Sequence, residues 1–389
     1  MRAHLLFPVV LSLVISCKSH PKTPSAIETI RVNAPDQFTK ADFSDFFSSW
    51  KLIPLETNKE SLIGSIDRIS VYNNQFYILD RQTNSILIFD DKGRFKRRIH
   101  NIGQGPGEYI GLMDFALDKK KQELIVHSHR PYRMIYYDLN GKYLREEKLS
   151  TFYSGISCSG SDLIEINRRR EFNNMAFVKN LDDGSVDKYI PFSKKEELFE
   201  TYGTIFPYVV QSENTYVTFP FESTIYQYNN GSINPRYKVD FGSHNIPEAD
   251  FISGSTPKKI IQDAQRNWDG IFVSNFRECK NYLCFTYGNS VIVLYSKKDK
   301  KTYAFTVALN TLGDLPFQNY FGHDGEDDNL ISIYEASTFR SQMNTFKNKS
   351  SIWGRESDEI KQIDSSVKEN NNPLLLICSL KQDQAEKKE

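Results

Sequence analysis

The sequence predicts an all-β fold, a closed six-bladed β-propeller of four-stranded antiparallel blades with short helical insertions. Two observations lead to this prediction: residues 73–99 are repeated by residues 121–147, and weaker copies continue to the end of the chain. The 389 residues also include 27 Phe and 21 Tyr, and aromatic side chains favour the half-buried surfaces of β-sheets. Basic and acidic residues each number 49, so the composition has no charge bias toward nucleic acid or anionic membranes.

The first two units align closely. "NNQFYILDRQTNSILIFDDKGRFKRRI" (73–99) matches "KQELIVHSHRPYRMIYYDLNGKYLREE" (121–147) at an offset of 47 to 48 residues, with Ile78 on Ile125. This offset lies in the period range of propeller blades. Each unit contains three alternating strands joined by polar turns, of which "DDKG" and "DLNG" are hairpin signals. A fourth strand precedes each unit, "IDRISVY" in the first and "LMDFALD" in the second.

Four weaker copies complete the six blades. They are "DLIEINRRREFNNMAFVKNLDDGSVDKYI" (162–190), "TYVTFPFESTIYQYNNGSINPRYKV" (215–239), "NYLCFTYGNSVIVLYSKKDKKTYAF" (281–305), and "LISIYEAS" (330–337) with "NPLLLICSLK" (372–381). Six four-stranded units of this length are what a closed propeller requires.

Further segments complete the ring or interrupt it. We expect "WKLIPLE" (50–56), or the neighbouring "IETIRV" (27–32), to pair beside residues 374–381 and so remove the open edge of the last blade. Residues 255–268 and 354–371 are polar and have helix-compatible spacing, which predicts two surface helices.

The glycine-rich stretch "IGQGPGEY" (102–109) is explained by this architecture. It lies between the last strand of the first unit and the first strand of the second. Glycine permits the positive φ angles of a sharp crossing between blades, and Pro106 stiffens it. A phosphate-binding loop would need a lysine and a Ser or Thr after the glycines and then a helix, whereas a strand follows here. We therefore predict a crossing loop.

The first residues predict a lipoprotein signal. Arg2 precedes a short apolar run, and Val14-Ile15-Ser16-Cys17 resembles the bacterial lipobox, in which the cysteine is acylated and the preceding peptide is cleaved. The alternative is an ordinary secretory signal with a chance cysteine. An aspartate directly after the cysteine would resemble an inner-membrane retention signal, but Lys18 stands at that position. We therefore expect an outer-membrane lipoprotein of the cell envelope, periplasmic or surface-facing. Its partner there is the lipid bilayer, held through acyl chains such as palmitate.

The chain accordingly divides into four parts. These are a signal peptide (1–16), a flexible linker after the lipidated cysteine (17–26), the propeller (27–381) and a charged C-terminal tail (382–389).

The four remaining cysteines are predicted to be buried free thiols. The pair in "CKNYLC", Cys279 and Cys284, has neither of the close spacings of zinc or thioredoxin sites, and no second pair follows. If Lys280-Asn281 form a two-residue hairpin turn, Cys279 faces Tyr282. The other two are Cys158 and Cys378.

A candidate ligand site lies on the upper face of the propeller. If the innermost strands run downward, this face holds the crossings between blades and the loops that join second to third strands; propellers commonly bind ligands there. Arg and His are concentrated in these loops. The candidate ligand-binding residues are Arg81, Tyr109, His127, His129, Arg130, Tyr132, Arg168 and Arg170. Arg forks recognise carboxylate, sulfate or phosphate groups, which predicts an anionic ligand such as an acidic glycan or an acidic protein segment.

Each feature of this site has an alternative explanation. His127 and His129 alternate and could face one side of an extended segment, but zinc needs a further ligand that the sequence does not supply, so we predict no metal. The run Arg168–Arg170 could equally be a solvated turn. "HDGEDDN" (323–329) lacks the spacing of an EF-hand, which favours a polar crossing loop. No catalytic constellation can be assembled, and we predict no cofactor and no nucleic-acid partner.

The segment "IFDDKGRFKRRIHNIGQGPGEYIGLMDFALD" (88–118) resembles an NHL-type repeat. Together with "IPLETNKESLIGSIDRI" (53–69) and "NNPLLLICSLK", it makes residues 27–381 similar to the six-bladed propeller lipoproteins of gut anaerobes. The resemblance implies the fold and no settled activity. Two functions stay open: a membrane-anchored binding module for a glycan, peptide or partner protein, or a propeller hydrolase or lyase acting on a sugar or lactone. The missing catalytic constellation favours the binding module.

Overall fold

The computed structural model describes residues 26–35, 37–167, 169–192, 209–212, 214–219, 222–247, 249, 251, 254–267, 273–288, 290–309, 315–348 and 358–382. Six sheets, each with four antiparallel strands, form the blades of a β-propeller, which confirms the predicted fold class; one of these sheets carries an additional parallel strand. The predicted signal peptide, Cys17 and nearly all of the linker and charged tail lie outside the described residues.

The chain begins with three strands that belong to three different parts of the ring. They are β1 (Glu28–Arg31), β2 (Lys40–Asp42) and β3 (Phe47–Pro54), with the short helix α1 (Phe43–Phe46) before β3.

The first three blades follow in chain order. Blade 1 contains β4 (Arg68–Tyr72), β5 (Gln75–Asp80), β6 (Ser85–Asp90) and β7 (Phe95–Ile99). Blade 2 contains β8 (Gly111–Asp118), β9 (Glu123–Arg130), β10 (Tyr132–Asp138) and β11 (Tyr143–Lys148). Blade 3 contains β12 (Gly155–Ser159), β13 (Asp162–Ile166), β14 (Asn174–Asn180) and β15 (Val186–Pro191), with a 3₁₀ turn at Arg170–Phe172.

The last three blades carry the insertions. Blade 4 contains β16 (Val209–Gln211), β17 (Thr215–Val217), β18 (Thr224–Asn229) and β19 (Ser232–Asp240), and a 3₁₀ turn (Gly242–His244) and α2 (Pro257–Asn267) follow it. Blade 5 contains β20 (Ser274–Glu278), β21 (Tyr282–Tyr287), β22 (Val291–Ser296) and β23 (Thr302–Phe305), followed by the short strand β24 (Val307–Leu309). Blade 6 contains β25 (Tyr320–Phe321), β26 (Asn329–Tyr334) and β27 (Leu374–Leu380), with α3 (Ala336–Asn348) and α4 (Asp358–Ser366) inserted between β26 and β27.

The predicted ring closure is confirmed for the later of the two candidate segments. The N-terminal strand β3 pairs antiparallel with β27, placing Lys51 opposite Ile377, and so forms the outermost strand of blade 6. The alternative segment 27–32 goes elsewhere: β1 pairs parallel with β19 as a fifth strand of blade 4. Since β2 pairs parallel with β24 beside blade 5, the N-terminal segment ties together three consecutive blades.

The crossing predicted for the glycine-rich stretch lies between β7 and β8. Gly107 has a φ of +72°, and a Cβ there would lie 2.5 Å from the Tyr143 ring, so both the backbone and the space require glycine. The Glu108 carboxylate accepts a hydrogen bond from the Gly105 N–H at 2.9 Å, which holds the loop closed.

The two predicted helices are present, whereas the short helix α1 and the longer helix α3 were not predicted. Residues 330–337 were interpreted as strand, whereas β26 ends at Tyr334 and α3 begins at Ala336. Ala336 and Phe339 of α3 are buried in the core around blades 5 and 6, so tertiary packing decides the helix here. Residues 323–329 connect the first and second strands of blade 6, which corrects the prediction of a crossing between blades.

The cysteine prediction is confirmed for the thiols that the structure describes. All four are free and buried. The Cys279 N–H donates to the Tyr282 carbonyl at 2.8 Å, so Lys280 and Asn281 form the expected two-residue turn. Within the described part of the chain, no helix is both long enough and apolar enough to cross a bilayer.

Candidate functional site

The axis of the propeller is filled by an ionic network. Arg68 on β4 contacts the Asp114 carboxylate of β8 and the Asp324 carboxylate of blade 6, both at 2.8 Å, and all three side chains are buried. The same guanidinium donates to the Ile156 carbonyl of blade 3 at 2.8 Å and the Val209 carbonyl of blade 4 at 3.3 Å. One arginine therefore joins the innermost strands of blades 1 to 4 to the loop between β25 and β26 of blade 6.

Blade 5 contributes a second buried arginine beside the first. The Arg277 guanidinium of β20 donates to the His323 carbonyl at 2.8 Å and contacts the Asp327 carboxylate at 3.1 Å. Burial alone would raise the pKa of Asp324, but the Arg68 charge and its hydrogen bonds lower it instead. The segment 323–329 therefore works as a plug, held on the axis by two arginines.

Little space remains at the axis. The cavity beside Arg68, which Ser157 and Gln211 also line, measures about 10 Å³. That volume is at the lower limit for one water molecule. Among the residues that the structure describes, the cavity beside Arg68 is therefore too small for a sugar or lactone.

The loops assigned to the upper face do join second to third strands. In blades 1, 2 and 3 these loops connect β5 to β6, β9 to β10 and β13 to β14. Topology therefore places them at the same end of the propeller as the crossings between blades.

The predicted ligand-binding residues differ in their availability. Arg81 forms an ion pair with Asp67 at 3.0 Å. Arg130 is exposed and Tyr132 is half-buried. Tyr109 is fully buried and its hydroxyl donates to the Ile99 carbonyl at 3.2 Å, so its ring offers no open face to a ligand. Arg168 lies outside the described residues, and so does the side chain of Arg170.

The two histidines point to the same seam, between blades 2 and 3. The rings of His127 and His129 lie 5.7 and 6.4 Å from the ring of Phe152, which belongs to the crossing from β11 to β12. His127 is fully buried, and burial lowers its pKa to about 3, so the imidazole is neutral. These contacts agree with the expectation that both rings face one side. The sequence analysis did not include Phe152 in the site, because it lies 23 residues after His129 in the chain.

Buried polar atoms without hydrogen-bond partners cluster at this seam. Five such atoms lie there: Nδ1 and Nε2 of His127, Nδ1 of His129, Oγ1 of Thr151 and Nδ2 of Asn167. Buried polar atoms are normally satisfied, so a group of five calls for a water or a ligand. The Arg169 guanidinium lies 5.9 Å from the Phe152 ring and is partly exposed. We refer to His127, His129, Thr151, Phe152, Asn167 and Arg169 as the seam cluster.

A buried carboxyl group lies below the seam cluster. Glu165 of β13 is 2% exposed, and burial raises its pKa to about 7, although the Lys179 charge and a hydrogen bond from Tyr153 oppose this rise. Tyr153 in turn contacts the His127 ring edge-on at 5.9 Å. No sequence signal pointed to Glu165, because its burial depends on the packing of two blades. Among the described residues, no three His, Cys, Asp or Glu side chains are grouped to hold a metal ion.

These features define the class: a six-bladed propeller with an ionically plugged axis and an unsatisfied polar cluster at one interblade seam. The chain belongs to the family of domains of unknown function DUF4934, whose model matches residues 27–379.

The chain is similar to two solved structures from Bacteroides. A candidate exported protein of Bacteroides fragilis NCTC 9343 superimposes with a TM-score of 0.69 at 18% identity, covering 91% of this chain and 100% of that chain. A DUF4221 family member of Bacteroides vulgatus ATCC 8482 matches with a TM-score of 0.45 at 11% identity, covering 87% and 98%. No curated protein matches the chain. At these identities the likeness concerns the fold alone.

Proposed function

We propose that the protein is a binding module of the cell envelope, anchored through acylated Cys17, whose seam cluster holds an anionic ligand. The observation that carries the proposal is the group of five unpaired buried polar atoms between blades 2 and 3. Asn167 Nδ2 is a donor, Thr151 and the neutral imidazoles can donate, and each of these donors fits an acceptor oxygen of a carboxylate or sulfate.

Charge and shape at the seam favour the same ligand class. Arg130 and Arg169 are exposed beside it, and an exposed guanidinium attracts anions at a small desolvation cost. The Arg169 guanidinium also contacts the Glu171 carboxylate at 3.4 Å, so an anionic ligand would compete with that carboxylate. The half-buried Phe152 ring gives an apolar surface on which a sugar ring or a peptide side chain can rest. A uronate- or sulfate-bearing glycan or an acidic protein segment satisfies these conditions.

A binding function accounts for the axial site better than a hydrolase or lyase activity on a sugar does. The two carboxylates on the axis, Asp114 and Asp324, are both bonded to Arg68, and the space beside them is about 10 Å³. A general acid and a general base must lie within hydrogen-bond distance of the substrate, and the space beside these two carboxylates is too small to hold one. The candidate exported protein of similar fold is consistent with a location outside the cytoplasm for this chain.

The experiment is a glycan and polyanion array at low and at physiological salt. The protein should bind acidic members with modest affinity that falls as salt rises, because exposed charge contacts are screened. The variants Arg130→Ala, Arg168→Ala, Arg169→Ala and Arg170→Ala should weaken binding. Lys142→Ala removes an exposed cation from a lower-face turn and is the matched control. Equal binding by the arginine variants, or equal weakening by Lys142→Ala, would contradict the proposal.

A further inference from the structure

The lower face of the propeller carries a groove beside blade 1. The seam cluster lies elsewhere, between blades 2 and 3. The groove runs between blade 1 and blade 6, where the N-terminal strand β3 closes the ring. Its volume is about 470 Å³, within the range of small-molecule sites in proteins. Its lining includes Asn74 from the first turn of blade 1 and His323, Asp327 and Asn329 from the axial plug 323–329. We call this space the closure groove.

The buried histidine His323 is part of the lining of the closure groove. His323 is 1% exposed, and neither Nδ1 nor Nε2 has a hydrogen-bond partner. Oδ1 of Asp327 lies 3.7 Å from His323 Nε2, a charge contact that is longer than an ordinary hydrogen bond. The His323 side chain is fully covered, so it forms part of the groove wall and the polar contacts to a ligand come from the other lining residues.

The charges around the closure groove cancel. The Asp327 carboxylate is neutralised by Arg277 at 3.1 Å. Asp91 and Lys51 have opposite signs, and the Lys51 ammonium donates to the Asp91 carbonyl at 3.0 Å. A groove without net charge gives no advantage to an anion or a cation. In this respect it differs from the seam cluster.

The remaining lining suits hydroxyl groups around an apolar ring face. Asn74, Gln75 and Asn329 carry amides that both donate and accept, and the Ser379 hydroxyl already donates to Asn329 Oδ1 at 2.8 Å, which leaves the Asn329 amide donors for another acceptor. Val71 and Ile377 are half-buried and line the same space. Sugar hydroxyls also donate and accept, and the C–H face of a sugar ring packs on apolar side chains.

We infer that the closure groove is a second binding site and that it takes a neutral saccharide, independently of the anionic ligand at the seam cluster. A ligand there contacts β3, blade 1 and the axial plug together. Such a ligand therefore connects the last blade to the first. Because it binds the folded state and not the unfolded state, it raises the melting temperature.

The test uses the full chain, an array of neutral glycans and three soluble probes: maltotriose, cellotriose and mannotriose, with trigalacturonate for comparison. At least one neutral glycan should bind and raise the Tm, with little dependence on salt. Asn74→Gly removes a lining amide while keeping the positive φ of 55° that this turn requires, and it should weaken binding about fivefold. Asn73→Gly, at a φ of 50° in the same turn but outside the groove lining, is the matched control and should bind normally.

The seam variants separate the two sites. Arg130→Ala and Arg169→Ala should leave neutral-glycan binding unchanged, so failure of the anionic proposal does not affect this result. Binding of no neutral glycan would overturn the inference, as would equal weakening by Asn73→Gly. A preference for trigalacturonate that Asn74→Gly reduces would also overturn it, because the groove would then hold an anion.

Discussion

The Arg68 guanidinium and the Asp324 carboxylate, 256 residues apart in sequence, form an ion pair of 2.8 Å on the propeller axis. Asp324 also accepts from the Ser70 hydroxyl at 2.6 Å and from the Gln211 N–H at 2.8 Å. The pair therefore fastens the loop of the last blade to the first and fourth blades from inside. The strand pairing of β3 with β27 closes the same ring from outside.

Replacing Arg68 should destabilise the whole ring. Arg68→Met leaves the carboxylates of Asp114 and Asp324 buried without their cation, which typically costs about 3–5 kcal/mol. Chemical denaturation should show this loss. Arg94→Met is the control: its ion pair with Asp90, at 2.7 Å, is largely exposed on the arginine side and should contribute less than about 1 kcal/mol. Similar losses for the two variants would show that the axial network is not a structural lock.

Removing the N-terminal strands should open the ring. A chain that starts at residue 57 lacks β1, β2 and β3, and its last blade presents β27 as an unpaired edge. We expect its Tm to fall by many degrees, measured by calorimetry. A chain that starts at residue 27 keeps these strands and serves as the control, with an unchanged Tm. An equal Tm for both chains would contradict the closure.

Glu165 should make stability depend on pH. Burial raises its pKa from 4.5 to about 7, so the folded state binds a proton more tightly than the unfolded state. Its contribution to stability is present in full below pH 4.5 and is lost as the pH rises through 7, by about 3 kcal/mol in total. Denaturation between pH 4.5 and 8 should show a shallower decline for Glu165→Gln. Glu171→Gln, whose side chain is exposed, should follow the parent curve. An identical slope in parent and Glu165→Gln would contradict the raised pKa.

The lipobox interpretation predicts the behaviour of a single variant. Cys17→Ala should abolish incorporation of labelled palmitate and partitioning into a detergent phase, because the cysteine is the acylated residue. The propeller should stay folded, with the circular dichroism spectrum of the parent. A Cys17→Ala protein that remains bound to membranes after a high-salt wash would refute the lipid anchor.

The blades themselves could be predicted from local sequence. Alternation of apolar residues sets the strand faces, and turn residues at fixed offsets set the hairpins, so the repeat of 73–99 by 121–147 was enough to give the blade period. The same reasoning located the crossing at 102–109 and limited the closing strand to residues 50–56 or 27–32, between which the structure decided. It failed at α3, where the helix is stabilised by the core around blades 5 and 6 and not by a local signal.

The sites were only partly predictable. The sequence indicated His127 and His129 because the two histidines alternate in a segment that we interpreted as a loop, whereas the structure places both on strand β9. Their neighbours Thr151 and Asn167 come from a crossing and from the next blade, and only the packing of two blades places them there. The burial of Tyr109, which removes it from the upper surface, was likewise decided by packing.

The sequence by itself determined the class of fold, the number of blades and the positions of their turns, because these depend on backbone conformation and side-chain alternation over a few residues. Tertiary structure alone decided that Arg68 meets Asp114 and Asp324, that β1 joins blade 4, and that His323 lines a groove at the closure. The physical reason is that ion pairs and interblade contacts depend on where the ring closes, and that geometry is set by all six blades at once.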